Sequence, residues 1–255
     1  MTYFDAIILG IVEGLTEFLP VSSTAHLILT SQVLGITADD FLKSFEIIIQ
    51  LGAILAVVTL YWRSFLQWQV LMRLAVAFVP TGLVGILLYP FLKQYVLANT
   101  TVVLWALFLG GVVILVFEKW RGQSSITTTA EISELSYHTC FLIGCFQSVA
   151  IIPGVSRSGA TIIGGLLLGL RRQTIVAFSF LLAVPTIAAA SMLDIVKNYE
   201  LFTRANVDLL VVGFVTAFIV ALLSIRWLLH YVAKNDFTVF GYYRIGLAAL
   251  YAFWR

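Results

Sequence analysis

Residues Glu13 to His26 read EGLTEFLPVSSTAH. Two glutamates, a Ser-Ser-Thr run and a histidine gather there inside an otherwise apolar surround. Glu13 and Glu17 are four apart and so share one face of a helix. Pro20 removes an amide donor and stops that helix. Ser22, Ser23 and Thr24 follow, each able to cap a second helix that starts just beyond. His26 falls in the first turn of that second helix. The stretch reads as two short helices meeting at a polar elbow. The elbow carries a candidate nucleophile, a candidate base and an anion-binding helix start. Singly, each residue has a plain structural reading as a satisfied core group or a cap. The surrounding chain decides between the two.

The chain has 255 residues, 61% hydrophobic and 11% charged, with a mean hydropathy of +1.02. A soluble domain carries about 25% charged residues. So little charge cannot cover a soluble surface, which points to an all-α polytopic membrane protein. A net charge of +2 argues against a nucleic-acid partner. Cys140 and Cys145 lie in an apolar segment and read as small core residues, not a disulfide or a metal site. The start, MTYFD, lacks a basic n-region, so the first segment is expected to stay in the mature protein.

Outward from the elbow, residues 3–19 and 22–35 form apolar pieces. At about 1.5 Å per residue each falls short of a bilayer core of about 30 Å. A re-entrant hairpin with its tip near mid-membrane is the better reading. Longer apolar segments follow at 41–62, 69–90 and 101–118. Pro80 and Gly82 mark a candidate kink in the second of these. The polar interval 119–137 divides the chain, with a short amphipathic helix expected near Glu131 and Glu134. Two short pieces, 138–152 and 157–170, then flank a second elbow, PGVSRSGAT, and spans follow at 174–197, 207–230 and 237–254.

The second half therefore repeats the first. At an offset of 134, Gly10 falls on Gly144, Glu13 on Gln147, and VSSTA (21–25) on VSRSG (155–159). At an offset of 133, Phe45-Glu46 falls on Phe178-Ser179. The expected architecture is one membrane domain, 1–255. It comprises residues 1–118 and 138–255 as halves, with six crossings and two re-entrant hairpins. Three crossings per half invert the second repeat. Arg63, Arg73, Lys119, Arg121, Arg171, Arg172, Arg226 and Lys234 then share one side, which the positive-inside rule makes cytoplasmic. Lys43, Lys93, Lys197, Arg204 and Arg255 share the other.

If the elbows meet, Arg157 faces Glu13, Glu17, Ser23 and His26. Ionisable groups at bilayer depth mark functional sites by default. Arg157 offers a planar fork suited to phosphate oxygens. Ser22, Thr24, Ser156, Ser158, Gly159 and Thr161 surround the two helix starts as phosphate-binding candidates. This set suggests phosphoryl transfer, which needs positioning and charge neutralisation. Three routes stay open: attack by Ser23, attack by His26, or a water activated by His26. Glu13 and Glu17 could hold a hard divalent cation, Mg2+ or Ca2+. Glu46 and Gln50, four apart on the first long span, are candidates to support the site. Gly165 and Gly169 mark a close helix contact or a dimer seam. A site within the bilayer plane favours a lipid substrate. A transporter of lipid phosphate is the rival class, since inverted repeats with broken helices are a transporter architecture.

At EGLTEFLPVSSTAH (13–26), FEIIIQLGAILAVV (45–58), PGVSRSGAT (153–161) and FSFLLAVP (178–185) the chain resembles the bacterial undecaprenyl-diphosphatase family associated with bacitracin resistance. The resemblance implies a multi-pass plasma-membrane phosphatase that removes the terminal phosphate of a polyprenyl diphosphate and returns the carrier lipid to peptidoglycan synthesis. It also implies a divalent-cation requirement, a site open to the outer face, and a homodimer. It takes Glu13, Glu17, Ser23, His26 and Arg157 as the catalytic set. Two departures stand out: Ala25 and Ala177 occupy positions where the family usually has glycine and glutamate. A second class of lipid phosphatases carries SR-x5-H, but here Ser156-Arg157 is followed at that spacing by Ile163.

Overall fold

The computed structural model describes residues 1–95, 99–121, 131–198, 200 and 204–254. Among them the chain is all-helical. Much of the 119–137 interval, residues 122–130, lies outside the described residues, as does Arg255. Helix α1 (Tyr3–Thr16) starts at a reciprocal cap in which Thr2 and Asp5 each accept the other's amide. It ends four residues before Pro20, with Glu17 as its C-terminal cap. Helix α2 (Ser23–Val33) follows, capped by Ser22. Three long helices come next: α3 (Asp40–Phe65), α4 (Trp68–Tyr95) and α5 (Thr100–Arg121). Helix α4 stays helical through Pro80 and Gly82, and a break in helical geometry falls in α3 at Tyr61.

The second half runs α6 (Tyr137–Ser148), α7 (Arg157–Leu167), α8 (Arg172–Lys197), α9 (Arg204–Val232) and α10 (Thr238–Trp254). Near Glu131 and Glu134 the chain forms one short 3-10 turn, Ile132–Glu134. Five helices, α3, α4, α5, α8 and α9, are long and apolar enough to cross a membrane. Helix α10, at the sixth expected crossing, has 17 residues and is the shortest of the long helices.

The repeat reaches into backbone detail. Ser22 and Ser156 are the two non-glycine residues with positive φ among the described residues, at 73° and 78°. Each caps the helix that follows and accepts an amide three residues on, from Ala25 and Gly159. Gly35 and Gly169, also separated by the repeat offset, have φ of 67° and 84° just after α2 and α7. Gly169 thus ends a helix. Gly165 closes against the side chain of Ile175 on α8. Gly165 thus serves a close helix contact within the chain, and Gly169 a helix end.

Packing exchanges the halves. Hairpin helix α1 lies mainly on α9, and its counterpart α6 lies mainly on α4. The equivalent helices α3 and α8 pack together, as do α5 and α10. The two halves thus take corresponding neighbours from each other. Glycines allow the close crossings: Gly10 leaves room for the Gly213 carbonyl, and Gly144 for that of Ala77. A polar tie holds α5 to α8, where the two terminal guanidinium nitrogens of Arg172 donate to Glu118. Glu118 also accepts the Phe237 amide just before α10. Apolar side chains such as Phe4, Ile86, Val116, Leu223 and Phe253 face outward, as a lipid-facing surface requires. Cys140 is buried, but Cys145 is exposed on that outer surface and both are free thiols.

Gly144→Val should be strongly destabilising because any Cβ there overlaps the Ala77 carbonyl. Overpacking of this kind costs about 1–3 kcal/mol. Gly246→Ala, with open space around it, should leave the thermal midpoint in detergent unchanged.

Candidate active site

The site is built on Glu17, which the end of α1 leaves pointing into the gap between the two elbows. Its Oε2 accepts the Ser23 hydroxyl at 2.5 Å. Its Oε1 accepts Arg157 Nη2 at 2.8 Å. One carboxylate therefore joins the hydroxyl of the first elbow to the guanidinium of the second. Arg157 also donates through Nη1 to the Ser179 carbonyl at 2.7 Å. Its Nε is buried with no hydrogen-bond partner. The guanidinium carbon stands 5.9 Å from the Phe18 ring centroid, and Phe18 packs edge-on against Phe180.

His26 is near this chain but not in it. Nδ1 lies 2.8 Å from the Ser22 carbonyl, which can only accept, so Nδ1 carries the proton in the neutral ring. Nε2 is then the acceptor for the Tyr243 hydroxyl at 2.7 Å. The contact on the Ser23 hydroxyl is thus a carboxylate and not the imidazole. Glu13 is fully buried, and neither oxygen makes a hydrogen bond of ordinary geometry. Glu17, Glu46 and Arg157 are the charges around it. Glu46 is half-buried on α3, and no hydrogen bond among the described residues ties Gln50 to the cluster.

The surrounding hydroxyls mostly serve the elbows themselves. Ser22 and Ser156 cap α2 and α7. Ser158 donates to the Leu19 carbonyl at 2.7 Å and so ties the second elbow to the first. Thr161 turns back on its own helix, donating to the Arg157 carbonyl. Thr24 is exposed. Gly159 gives its amide to Ser156, in the first turn of α7.

Three contributors escaped the reading of motifs: Ser179, Tyr243 and Arg244. Ser179 was visible as the repeat partner of Glu46. Tyr243 and Arg244 sit in the last apolar segment, where the offset of 133 places them on Gly110 and Gly111. No polar counterpart drew attention to them. The available signal was the arginine itself, a cation in a membrane segment.

A family model described as bacitracin resistance protein BacA matches residues 6–250. The chain belongs to the BacA family. An undecaprenyl-diphosphatase of Sulfurihydrogenibium is 50% identical over 254 residues, covering 100% of both chains. One of Aquifex aeolicus is 46% identical over 253 residues, covering 99% of this chain and 98% of that one. One of Wolinella succinogenes is 49% identical over 255 residues, covering 100% and 98%. The BacA match spans both elbows and every residue of the Ser23–Glu17–Arg157 chain.

The Glu17–Arg157 pair gives a stability test. Glu17→Gln leaves a buried guanidinium without its counter-charge and should cost about 3–5 kcal/mol. Glu17→Met combined with Arg157→Met removes both charges and should be less damaging than Glu17→Gln alone. Thermal unfolding of the detergent-solubilised protein ranks the two.

Proposed function

We propose that the protein hydrolyses undecaprenyl diphosphate to undecaprenyl phosphate and inorganic phosphate, returning the carrier lipid for peptidoglycan synthesis. The observation that carries this reading is the Glu17 carboxylate held between the Ser23 hydroxyl and the Arg157 guanidinium. The family membership and the names of the relatives support it. A carrier of lipid phosphate has no such support, because the relatives compared are named as phosphatases.

Ser23 Oγ attacks the terminal phosphorus while Glu17 Oε2 takes its proton. The bond from phosphorus to the bridging oxygen breaks, and undecaprenyl phosphate leaves with that oxygen. Water then attacks the phosphoserine, Glu17 returns the proton to Ser23 Oγ, and inorganic phosphate departs. Arg157 holds the phosphate oxygens, its unpartnered Nε being the donor free for them. Inorganic phosphate carries away both protons of the water, while His26, held between the Ser22 carbonyl and the half-exposed Tyr243 hydroxyl, borders the reacting groups. This ordering prefers Ser23 over His26 as nucleophile, since only the serine already rests on a base.

This reading includes a divalent cation, Mg2+ or Ca2+. Glu13 would hold it, through two buried oxygens that lack hydrogen-bond partners. Glu17 is committed to Ser23 and Arg157. Magnesium sites commonly take one or two carboxylates and complete themselves with substrate phosphates. When bound, the cation would supply neutralisation of diphosphate charge.

The same reading sets the membrane frame. Helices α1, α2, α6 and α7 have 14, 11, 12 and 11 residues. At about 1.5 Å per residue none crosses a core of about 30 Å. They form two re-entrant hairpins, one from each side, and α3, α4, α5, α8, α9 and α10 make the six crossings. The two halves are inverted relative to each other. The protein sits in the plasma membrane with the site open to its outer face.

Purified protein in detergent should release phosphate from undecaprenyl diphosphate, with no gradient or second leaflet present. Binding without release would sink the hydrolase reading. Ser23→Ala and Arg157→Lys should each lower kcat by about a hundredfold or more. Tyr243→Phe should lower it by about tenfold, because His26 Nε2 loses its partner. A chelator should suppress turnover, and added Mg2+ should restore it.

A further inference from the structure

Arg244, in the middle of α10, is 1% exposed and lies outside the reacting chain. A guanidinium has five N–H donors. Here each meets a different backbone carbonyl. Nε donates to Leu107 at 3.1 Å, and Nη2 to Ala106 at 3.1 Å, both on α5. Nη1 donates to Pro20 at 3.1 Å in the first elbow and to Val155 at 3.0 Å in the second. Nη2 also donates to Gly154 at 2.8 Å in the second elbow. No donor is left for a ligand, and no carboxylate takes part. One planar group holds the two broken-helix tips against each other and against α5.

Those tips carry the two ends of the chemistry. Pro20 is two residues before the cap that precedes Ser23, and Val155 is two residues before Arg157. The distance from Ser23 to Arg157 across Glu17 is therefore fixed where Arg244 grips the backbone. The seat for the guanidinium is also specific. A Cβ on Gly110 would overlap Arg244 Nη2 and crowd its Cζ.

We propose that Arg244, seated on Gly110, is the positioning residue of the hydrolysis: it sets the separation of the two elbows and through it the alignment of Ser23 with the phosphate held by Arg157. The proposal rests on the hydrolytic reading above. Lysine at this position supplies a point charge with a smaller donor set and cannot span five carbonyls in a plane. Displacement of reacting groups by about 1 Å can cost about a hundredfold in rate.

The test is steady-state phosphate release from undecaprenyl diphosphate by purified full-length protein in detergent, with gel filtration as the check on folding. Wild-type release reports on hydrolysis itself, and ratios to wild type report on Arg244. Arg244→Lys and Gly110→Ala should each lower kcat by about tenfold or more, with KM changed less than about threefold. The exposed neighbour Leu109→Ala should match wild type. Because lysine lacks the Nη2 that alanine would displace, adding Gly110→Ala to Arg244→Lys should cost less than about twofold further. A folded Gly110→Ala protein with wild-type kcat would overturn the proposal. So would costs that multiply in the double variant, since Gly110 would then act independently of Arg244. Failure of both single variants to fold would assign Arg244 to stability and overturn it as well.

Discussion

A carboxylate from one half of the chain meets a guanidinium from the other at the centre of the molecule. Glu17 and Arg157 are held in a medium that penalises either charge alone. Their pairing permits both elbows to sit deep among the helices, and it makes the elbows dependent on each other. Neither hairpin can shift without uncovering a charge. The Ser23 hydroxyl shares the same carboxylate, so the group that neutralises the arginine is also the one placed to accept a proton. Stability and the proposed chemistry therefore act through one side chain.

A broken helix away from water poses a second problem, the unpaired backbone groups at the break. The sequence meets it with short polar side chains and one long one. Ser22 and Ser156 accept the amides that open α2 and α7. The carbonyls are harder, because a serine or threonine can supply only one donor. Ser158 covers Leu19, and Arg244 covers Pro20, Gly154 and Val155. The two arginines divide the work: Arg157 faces the Glu17 carboxylate, while Arg244 faces only main chain. Both look alike in sequence, yet one is partnered by a carboxylate and the other by carbonyls alone.

Much of this was legible from residues 13–26 and 153–161. Proline, serine caps and glycine state a local break in the helix, and their recurrence at a fixed offset states that the break occurs twice. That Arg157 would face Glu13, Glu17, Ser23 and His26 followed once the two elbows were taken to meet. Other features are invisible along a chain. Which ring nitrogen of His26 faces which partner depends on α10, more than two hundred residues away. Hydroxyls at Ser158 and Thr161 suit a phosphate by chemistry, but the geometry turns them to carbonyls. Tyr243 and Arg244 lacked a polar repeat partner, so a search guided by recurrence passed over them.

That last omission has a physical origin in the repeat itself. Positions near a two-fold axis come close to their own equivalents, so identical residues there would often conflict. Two arginines would repel, two glycines would leave a void, and two serines would give no charge to hold a phosphate. The chain instead places unlike residues at equivalent positions. Ser23 and Arg157 are such a pair, and both touch Glu17. Glu46 and Ser179 are another. The residues that build the site are thus those at which the halves differ, while Ser22 and Ser156, which keep the backbone turn, are those at which they agree. A duplicated scaffold makes a pocket only after its axis has lost symmetry, so the departures from the repeat carry the chemistry and the matches carry the fold.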